Sequence, residues 1–295
     1  MAEPLTVRSY AKINWTLDIL SRREDGYHEI RTIYQTVSLH DRLHLRSTQN
    51  NAIEIVSSNP QVPCDETNLV YRAVDEVRRI TGSKGGLSIE IEKKIPVSAG
   101  LGGGSSNAGA TLLALNRLWR LGLEYSELVK IAVKIGSDVP FFLLGGTALG
   151  VGRGEEVYPL QDAPRVELLL TNPGFPVSTA EAYGGARRLT TEDGVRMIPF
   201  SLLAARDIHE LPLLGRNDLE QVVLKTHPEI EEIKLRLQHL GAISSMMSGS
   251  GGTVYGVFDN QGTKERAASE LRGAGLWCES VHTIGRMEYN DTLYE

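Results

Sequence analysis

Between Pro96 and Asn107 the chain reads Pro-Val-Ser-Ala-Gly-Leu-Gly-Gly-Gly-Ser-Ser-Asn, a stretch that few folds can use. Gly100, Gly102, Gly103 and Gly104 permit positive φ angles and let backbone N–H groups approach a ligand with no Cβ in the way. Before the loop, Leu87-Ser-Ile-Glu-Ile-Glu alternates apolar and polar residues like a half-buried strand. After it, Leu112, Leu115 and Trp119 fall on one helical face. A helix starting near Ser105 and running to Leu121 would aim its unpaired N–H groups and the positive end of its dipole into the loop, which favours a bound anion. A plain connector is the alternative, but consecutive glycines cost backbone entropy.

The common glycine loops fit poorly. A Walker A loop ends in Gly-Lys-Ser/Thr, whereas Gly104 is followed by Ser105 and Ser106. Counting a dinucleotide fingerprint from Gly100 and Gly102 puts Ser105 where the third glycine belongs, and Glu124, at the distance of a ribose-binding acid, falls between two helices. The chain has no Val-Ala-Ile-Lys, His-Arg-Asp or Asp-Phe-Gly, so protein-kinase signatures fail as well.

The 295 residues suffice for two modest domains, and 31 basic against 37 acidic residues give a net charge of −6. No run of lysine and arginine tracks a nucleic-acid backbone, so nucleic acid is not expected as a partner. Lys93 and Lys94 put local positive charge beside the glycine loop. Cys64 and Cys278 lie far apart without metal-ligand spacing, which suggests a reduced cytosol. Neither a signal-peptide core nor a transit sequence is evident near the first residues. The most apolar stretch, Val139 to Val151, is too short for a bilayer, which takes about 20 residues. A soluble, cytoplasmic protein without a membrane partner is the expectation, with a homodimer left open.

Leu5 to Leu17 reads as a strand that separates Ala11, Ile13, Trp15 and Leu17 from Lys12, Asn14 and Thr16, so Lys12 and Asn14 point the same way. A turn at Asp25-Gly26 precedes two further strands, Ile30 to Ser38 and Asp41 to Arg46. Helices are expected over Asn68 to Ile80 and over Ser126 to Ile135, the latter capped by Ser126. Four prolines between Pro159 and Pro176 read as passage into a second domain, and Ser178-Thr-Ala-Glu181 as a capping box starting a helix with Tyr183. Thr190 to Gly215 shows little periodicity. Beyond it, Glu229 to Leu240 and Lys264 to Leu271 read as helices, and Ala242 to Met246, Thr253 to Phe258 and Ser280 to Ile284 as strands. Interleaved helices and strands indicate a two-domain α+β protein.

The glycine stretch, in the form Pro-x-x-x-Gly-Leu-Gly-Gly-Gly-Ser-Ser, resembles the phosphate loop of the GHMP kinases, which phosphorylate small molecules. Ala11-Lys-Ile-Asn-Trp-Thr-Leu, Arg23-Glu-Asp-Gly-Tyr-His, Thr36-Val-Ser-Leu-His-Asp, Asn68-Leu69, Gly136-Ser-Asp-Val-Pro-Phe-Phe and Ser248-Gly-Ser-Gly-Gly-Thr-Val extend the resemblance over most of the chain except Thr190 to Gly215. The Arg-x-Asp-Gly-Tyr-His block is similar to that of the branch phosphorylating a CDP-linked methylerythritol in the non-mevalonate route to isoprenoids. The resemblance implies a two-domain GHMP kinase fold, residues 1–160 like ribosomal protein S5 and carrying the ATP loop, residues 161–295 ferredoxin-like. It implies ATP with Mg²⁺, for which no acidic pair has diagnostic spacing. Lys12 and Asp138 would be catalytic, Asp138 as general base. Asn68, Lys94, Pro96, Val97, Ser98, Ala99, Gly100, Leu101, Gly102, Gly103, Gly104, Ser105 and Ser106 would bind ATP.

The substrate would take Asn14, Tyr27, His28, Thr179, Tyr183, Gly249, Ser250 and Gly251, with Tyr27 and Tyr183 as aromatic walls and His28 hydrogen bonding to cytosine. Many members carry proline or alanine where this chain has Gly252. Each assignment has a plainer reading. Read without the resemblance, Asp138, two residues before Pro140, is a helix N-cap; Tyr27 an aromatic packed beside a turn; the stretch at Ser248 a tight turn. Other GHMP kinases of small alcohols, or a silent nucleotide-binding protein of this fold, are the competing functions.

Overall fold

The computed structural model describes residues 3–186 and 215–295. β1 (Leu5–Arg22) and β2 (His28–Thr48) form a long antiparallel hairpin. β3 (Ile53–Ser57), α1 (Leu69–Thr81), β4 (Gly86–Glu92), α2 (Gly103–Leu118) and α3 (Tyr125–Ile135) follow. A single 3-10 turn, Val139–Leu143, leads to β5 (Thr147–Val151) and β6 (Glu156–Pro159). The second half supplies β7 (Glu167–Asn172), α4 (Thr179–Gly185), β8 (Arg216–Asn217), α5 (Glu220–Thr226), α6 (Pro228–His239), β9 (Ser244–Met247), β10 (Val254–Phe258), α7 (Gln261–Gly273), β11 (Trp277–His282) and α8 (Arg286–Thr292). One sheet runs β3-β4-β2-β1-β8, with β5 joining β2 and β6; the other runs β11-β7-β10-β9. One βαβ unit, β3-α1-β4 with its two strands parallel, sits in sheets whose pairings are otherwise mostly antiparallel, an α+β arrangement.

The alternation along β1 determines how the halves meet. Ala11, Ile13 and Trp15 face Leu168, Leu170, Tyr255 and Val257 of the second sheet in one apolar core, with the Trp15 and Tyr255 rings edge to face at 5.5 Å. Each fully buried aliphatic side chain there contributes about 2 kcal/mol. Lys12 and Asn14 consequently face the opposite way, into the cleft beside the glycine loop. A separate core packs α1, α2 and α3 on the first sheet, and α8 returns to it through Tyr289, so the two halves are tied together at both ends.

Several elements differ from their sequence reading. The two strands read before and after Leu39 are one: opposite β1 the register jumps from Tyr10↔His40 to Ala11↔Val37, so Ser38 and Leu39 are absorbed as a bulge without ending the ladder. Pro159 to Pro176 holds a central strand, β7, whose Leu168, Leu169 and Leu170 are all buried. A strand covered on both faces lacks the alternation that marks a half-exposed one. α3 starts one residue before Ser126, with the Glu127 carboxylate accepting from the Glu124 N–H at 2.9 Å. Glu124 therefore serves a helix end. Residues 190–214 of the aperiodic stretch lie outside the described residues.

Candidate active site

Gly100 and Gly102 adopt φ of 77° and 68°, and α2 begins at Gly103, two residues earlier than the periodicity indicated. A Cβ on Gly100 would lie 2.1 Å from the Ser248 carbonyl oxygen, and one on Gly102 2.8 Å from the Phe142 ring, so both positions demand glycine by space as well as by φ. The loop is braced from outside. Leu101 O accepts from Lys12 N at 3.0 Å, Gly100 O from the Ser248 hydroxyl at 3.0 Å, and Ala99 O from Thr253 N at 3.2 Å. The first N–H groups of α2 have no intrahelical partner by helix geometry and face the cleft where Gly103, Gly104 and Ser105 line it.

Beneath that turn sits Asp41, fully buried. Its carboxylate accepts from Lys93 Nζ at 2.5 Å, from the backbone N–H groups of Lys94 and Ile95 at 2.7 and 2.8 Å, and from Asn107 Nδ2 at 2.8 Å. One acid thus ties β2, the strand leading into the loop, and the helix leaving it. Burial pulls the Lys93 ammonium below the usual lysine pKa, opposed by the Asp41 charge.

Lys12 and Asp138 meet at the mouth of the loop. Lys12 Nζ lies 3.6 Å from Asp138 Oδ2 and donates to Asn14 Oδ1 at 2.7 Å; Asn14 Nδ2 donates to Thr32 Oγ1 at 2.7 Å. Asp138 precedes the 3-10 turn but makes no side-chain cap hydrogen bond. Its Oδ1 instead accepts from the Tyr34 hydroxyl at 3.0 Å. Burial, helped by the Asp138 charge, raises the Tyr34 pKa well above the usual 10, so the phenol stays a donor. The Lys12 side chain is only 5% exposed against 32% for Asp138, and burial lowers its pKa while Asp138 works against that.

The cleft, about 1250 Å³, runs from the glycine loop past this pair to a second set of side chains. Tyr27 projects from the β1–β2 turn, 56% exposed, with the Arg153 guanidinium 4.9 Å from its ring centre. The His28 ring lies 5.5 Å from that of Tyr183, whose pKa is raised by burial. Thr179, at the start of α4, shares a 2.9 Å hydrogen bond with Ser250, and Gly249 and Ser250 line the wall.

Of the residues singled out in the sequence, Lys94, Leu101, Ser106 and Gly251 are not brought to the cleft wall. The Lys94 side chain is exposed, and its neighbour Lys93 points inward instead. Leu101 is in the apolar core, the Ser106 hydroxyl donates to Tyr10 O at 2.6 Å, and Gly251 packs against Met247 and Val177. Asn68 lines the cleft, although its side chain caps α1 by accepting from Val70 N at 2.8 Å. The remaining residues of both binding sets lie on the wall.

Tyr34, Asp41, Arg153 and Asn217 were missed. Asp41 lay within a quoted motif. Asn217, whose amide donates to Met247 O and Gly249 O at 2.9 and 2.7 Å and so holds the turn at Ser248–Gly252, the third glycine turn of the chain's motifs, had no local signal.

Magnesium commonly keeps several waters and binds through one or two carboxylates together with nucleotide phosphates. Among the described residues, the carboxylates on the cleft wall are those of Asp138 and Glu181. Among the described residues no group of three His, Cys, Asp or Glu is placed to hold a metal ion. No helix among the described residues is long and apolar enough to cross a membrane.

Comparison with known proteins places these features in context. The GHMP kinases N terminal domain model matches residues 68–146, and the GHMP kinases C terminal model residues 200–275. A 4-diphosphocytidyl-2-C-methyl-D-erythritol kinase of Bacillus cytotoxicus is 41% identical over 291 residues, covering 98% of this chain and 99% of the relative. A solved 4-(cytidine 5'-diphospho)-2C-methyl-D-erythritol kinase superposes with a TM-score of 0.80 at 34% identity, covering 95% of this chain and 99% of the other. The homoserine kinase of Cytophaga hutchinsonii, at 18% identity and a TM-score of 0.74, covers 98% and 97% and shares the fold.

Proposed function

The chain belongs to the GHMP kinase family, and from that premise we propose that it transfers the γ-phosphoryl group of ATP to the 2-hydroxyl of 4-diphosphocytidyl-2-C-methyl-D-erythritol, giving the 2-phosphate and ADP. The observation carrying the chemistry is the Lys12–Asp138 pair, 3.6 Å apart at the mouth of the glycine loop.

Phosphoryl transfer asks a protein mainly for positioning and for neutralising charge. The N–H groups at the start of α2 would hold the nucleotide's phosphates, where Mg²⁺ carried with the nucleotide would supply further neutralising charge. Asp138 accepts the proton of the attacking hydroxyl through one oxygen while Tyr34 holds the other. Lys12 sits on the developing negative charge, its donors directed by Asn14. Tyr27, His28 and Tyr183 receive the cytosine. Residues 1–160 form the ATP-binding half and 161–295 the second, with α8 reaching back. The reaction belongs to cytosolic isoprenoid synthesis.

The test is acceptor choice. Purified protein with Mg-ATP is offered the CDP-linked methylerythritol, homoserine or mevalonate, and ADP release is followed. Only the first should turn over appreciably; comparable rates with either of the others would overturn the substrate assignment.

A further inference from the structure

The Tyr27 ring stands at a turn tip with over half its surface exposed, a poor place to hold a flat ligand in one orientation. The turn backbone is fixed by Arg23 N to Tyr27 O at 2.8 Å and by Tyr27 N to Asp25 Oδ1 at 3.1 Å. Those bonds leave the ring's own torsions free. The Arg153 guanidinium lies over one face, 4.9 Å from the centroid, within the range of a cation–π contact.

Arg153 is itself held. Its Nε donates to Glu155 Oε1 at 3.0 Å and its backbone N–H to Glu155 Oε2 at 2.5 Å. The tight turn that carries it is fixed in turn to β2: Gly152 O accepts from Ile30 N at 2.7 Å, and a Cβ on Gly154 would lie 2.4 Å from the Tyr34 hydroxyl. A planar cation on a rigid turn therefore covers one face of an otherwise loose ring and leaves the other for a planar partner.

We infer that Arg153 is a positioning residue for acceptor specificity: it presets the plane of Tyr27, so that the substrate's pyrimidine stacks on the opposite face. The inference deepens the function proposed above and rests on its assignment of Tyr27 to cytosine. Because Arg153 acts through the ring, its loss affects the acceptor and leaves ATP alone.

The experiment pairs steady-state kinetics with titration of cytidine 5'-diphosphate as probe, on the full chain. Arg153→Gln is expected to raise the acceptor KM and the probe Kd about fivefold, the size of a partly exposed cation–π contact, with kcat and the KM for ATP unchanged. Arg153→Lys recovers part of the loss, since an ammonium keeps the charge but not the plane. In a Tyr27→Ala background, Arg153→Gln adds nothing further, as expected of two residues acting as one unit. A normal probe Kd in Arg153→Gln, with Tyr27→Ala still weakened, overturns the inference alone. Full additivity overturns it too, because Arg153 would then touch the ligand directly. An unaffected Tyr27→Ala overturns both the inference and the cytosine assignment beneath it.

Discussion

The two ends of the cleft are built from different materials. At the proposed donor end the groups offered to a ligand are backbone N–H groups, and the loop that carries them is braced by buried partners such as Asp41 and the Ser248 hydroxyl. At the proposed acceptor end they are side chains, Tyr27, His28, Thr179 and Tyr183, set on a turn tip and a short helix, with Arg153 over the Tyr27 ring, His28 beside Tyr183 and Thr179 bonded to Ser250. A backbone grip reads only phosphate, common to every ATP-dependent relative. A side-chain grip can be exchanged residue by residue, so acceptor choice can change while the fold shared with a homoserine kinase at 18% identity persists. Damage at the donor end should therefore spread to folding, and damage at the acceptor end should stay in one KM.

Asp138 belongs to neither end, and replacing it tests whether the two ends are separable from the chemistry. Asp138→Asn keeps the shape but removes the proton acceptor, so kcat should fall about a thousandfold, within the usual range for a general base. ATP binding, measured by titration, should hardly change. Retention of most activity would make Asp138 a structural residue.

The next largest effect is expected under the loop. Asp41→Asn leaves the Lys93 ammonium buried without a counter-charge and should cost about 3 kcal/mol in denaturant unfolding, together with a raised KM for ATP. An unchanged midpoint would mean that the loop does not depend on this acid, and the contrast between the two ends would lose its physical basis.

Lys12 gives a subtler test, in pH. Its native pKa is lowered by burial, so between that value and 10.5 the unfolded chain holds more protons than the native one, and stability rises with pH. Tyr34 and Tyr183, with raised values, contribute the opposite slope only above 10. Measured below pH 10, Lys12→Met should remove part of the wild-type slope while abolishing turnover. Identical slopes would show that Lys12 is not desolvated in the folded protein.

What the sequence revealed follows the same division. The loop was legible because glycines are needed at positive φ and at close approach, and both needs leave a mark in the letters. Lys12 and Asn14 were legible as a pair because strand alternation puts them on one side. Tyr34 and Arg153 were not. Each acts through a partner far away in the chain, Tyr34 on Asp138 and Arg153 on Tyr27, and no local period encodes that pairing. β7 was hidden for a related reason: burial on both faces erased its alternation, and its flanking prolines resembled a linker.

The smallest expected effect bears on the acceptor end alone. Thr179 shares its hydroxyl hydrogen bond with Ser250 across an exposed edge where α4 meets the third glycine turn. Water competes for such a bond, so Thr179→Val should cost no more than about 0.5 kcal/mol of stability, at the low end for a hydrogen bond. The turn has other support from the Asn217 amide, which bridges two of its carbonyls. In kinetics the loss should appear as a KM for the CDP-linked acceptor raised about two- to threefold, about 0.5 kcal/mol of binding, with the KM for ATP constant. A parallel rise in the KM for ATP would show that the third glycine turn transmits strain to Gly100 through Ser248, and the two ends would then have to be treated as one mechanical unit.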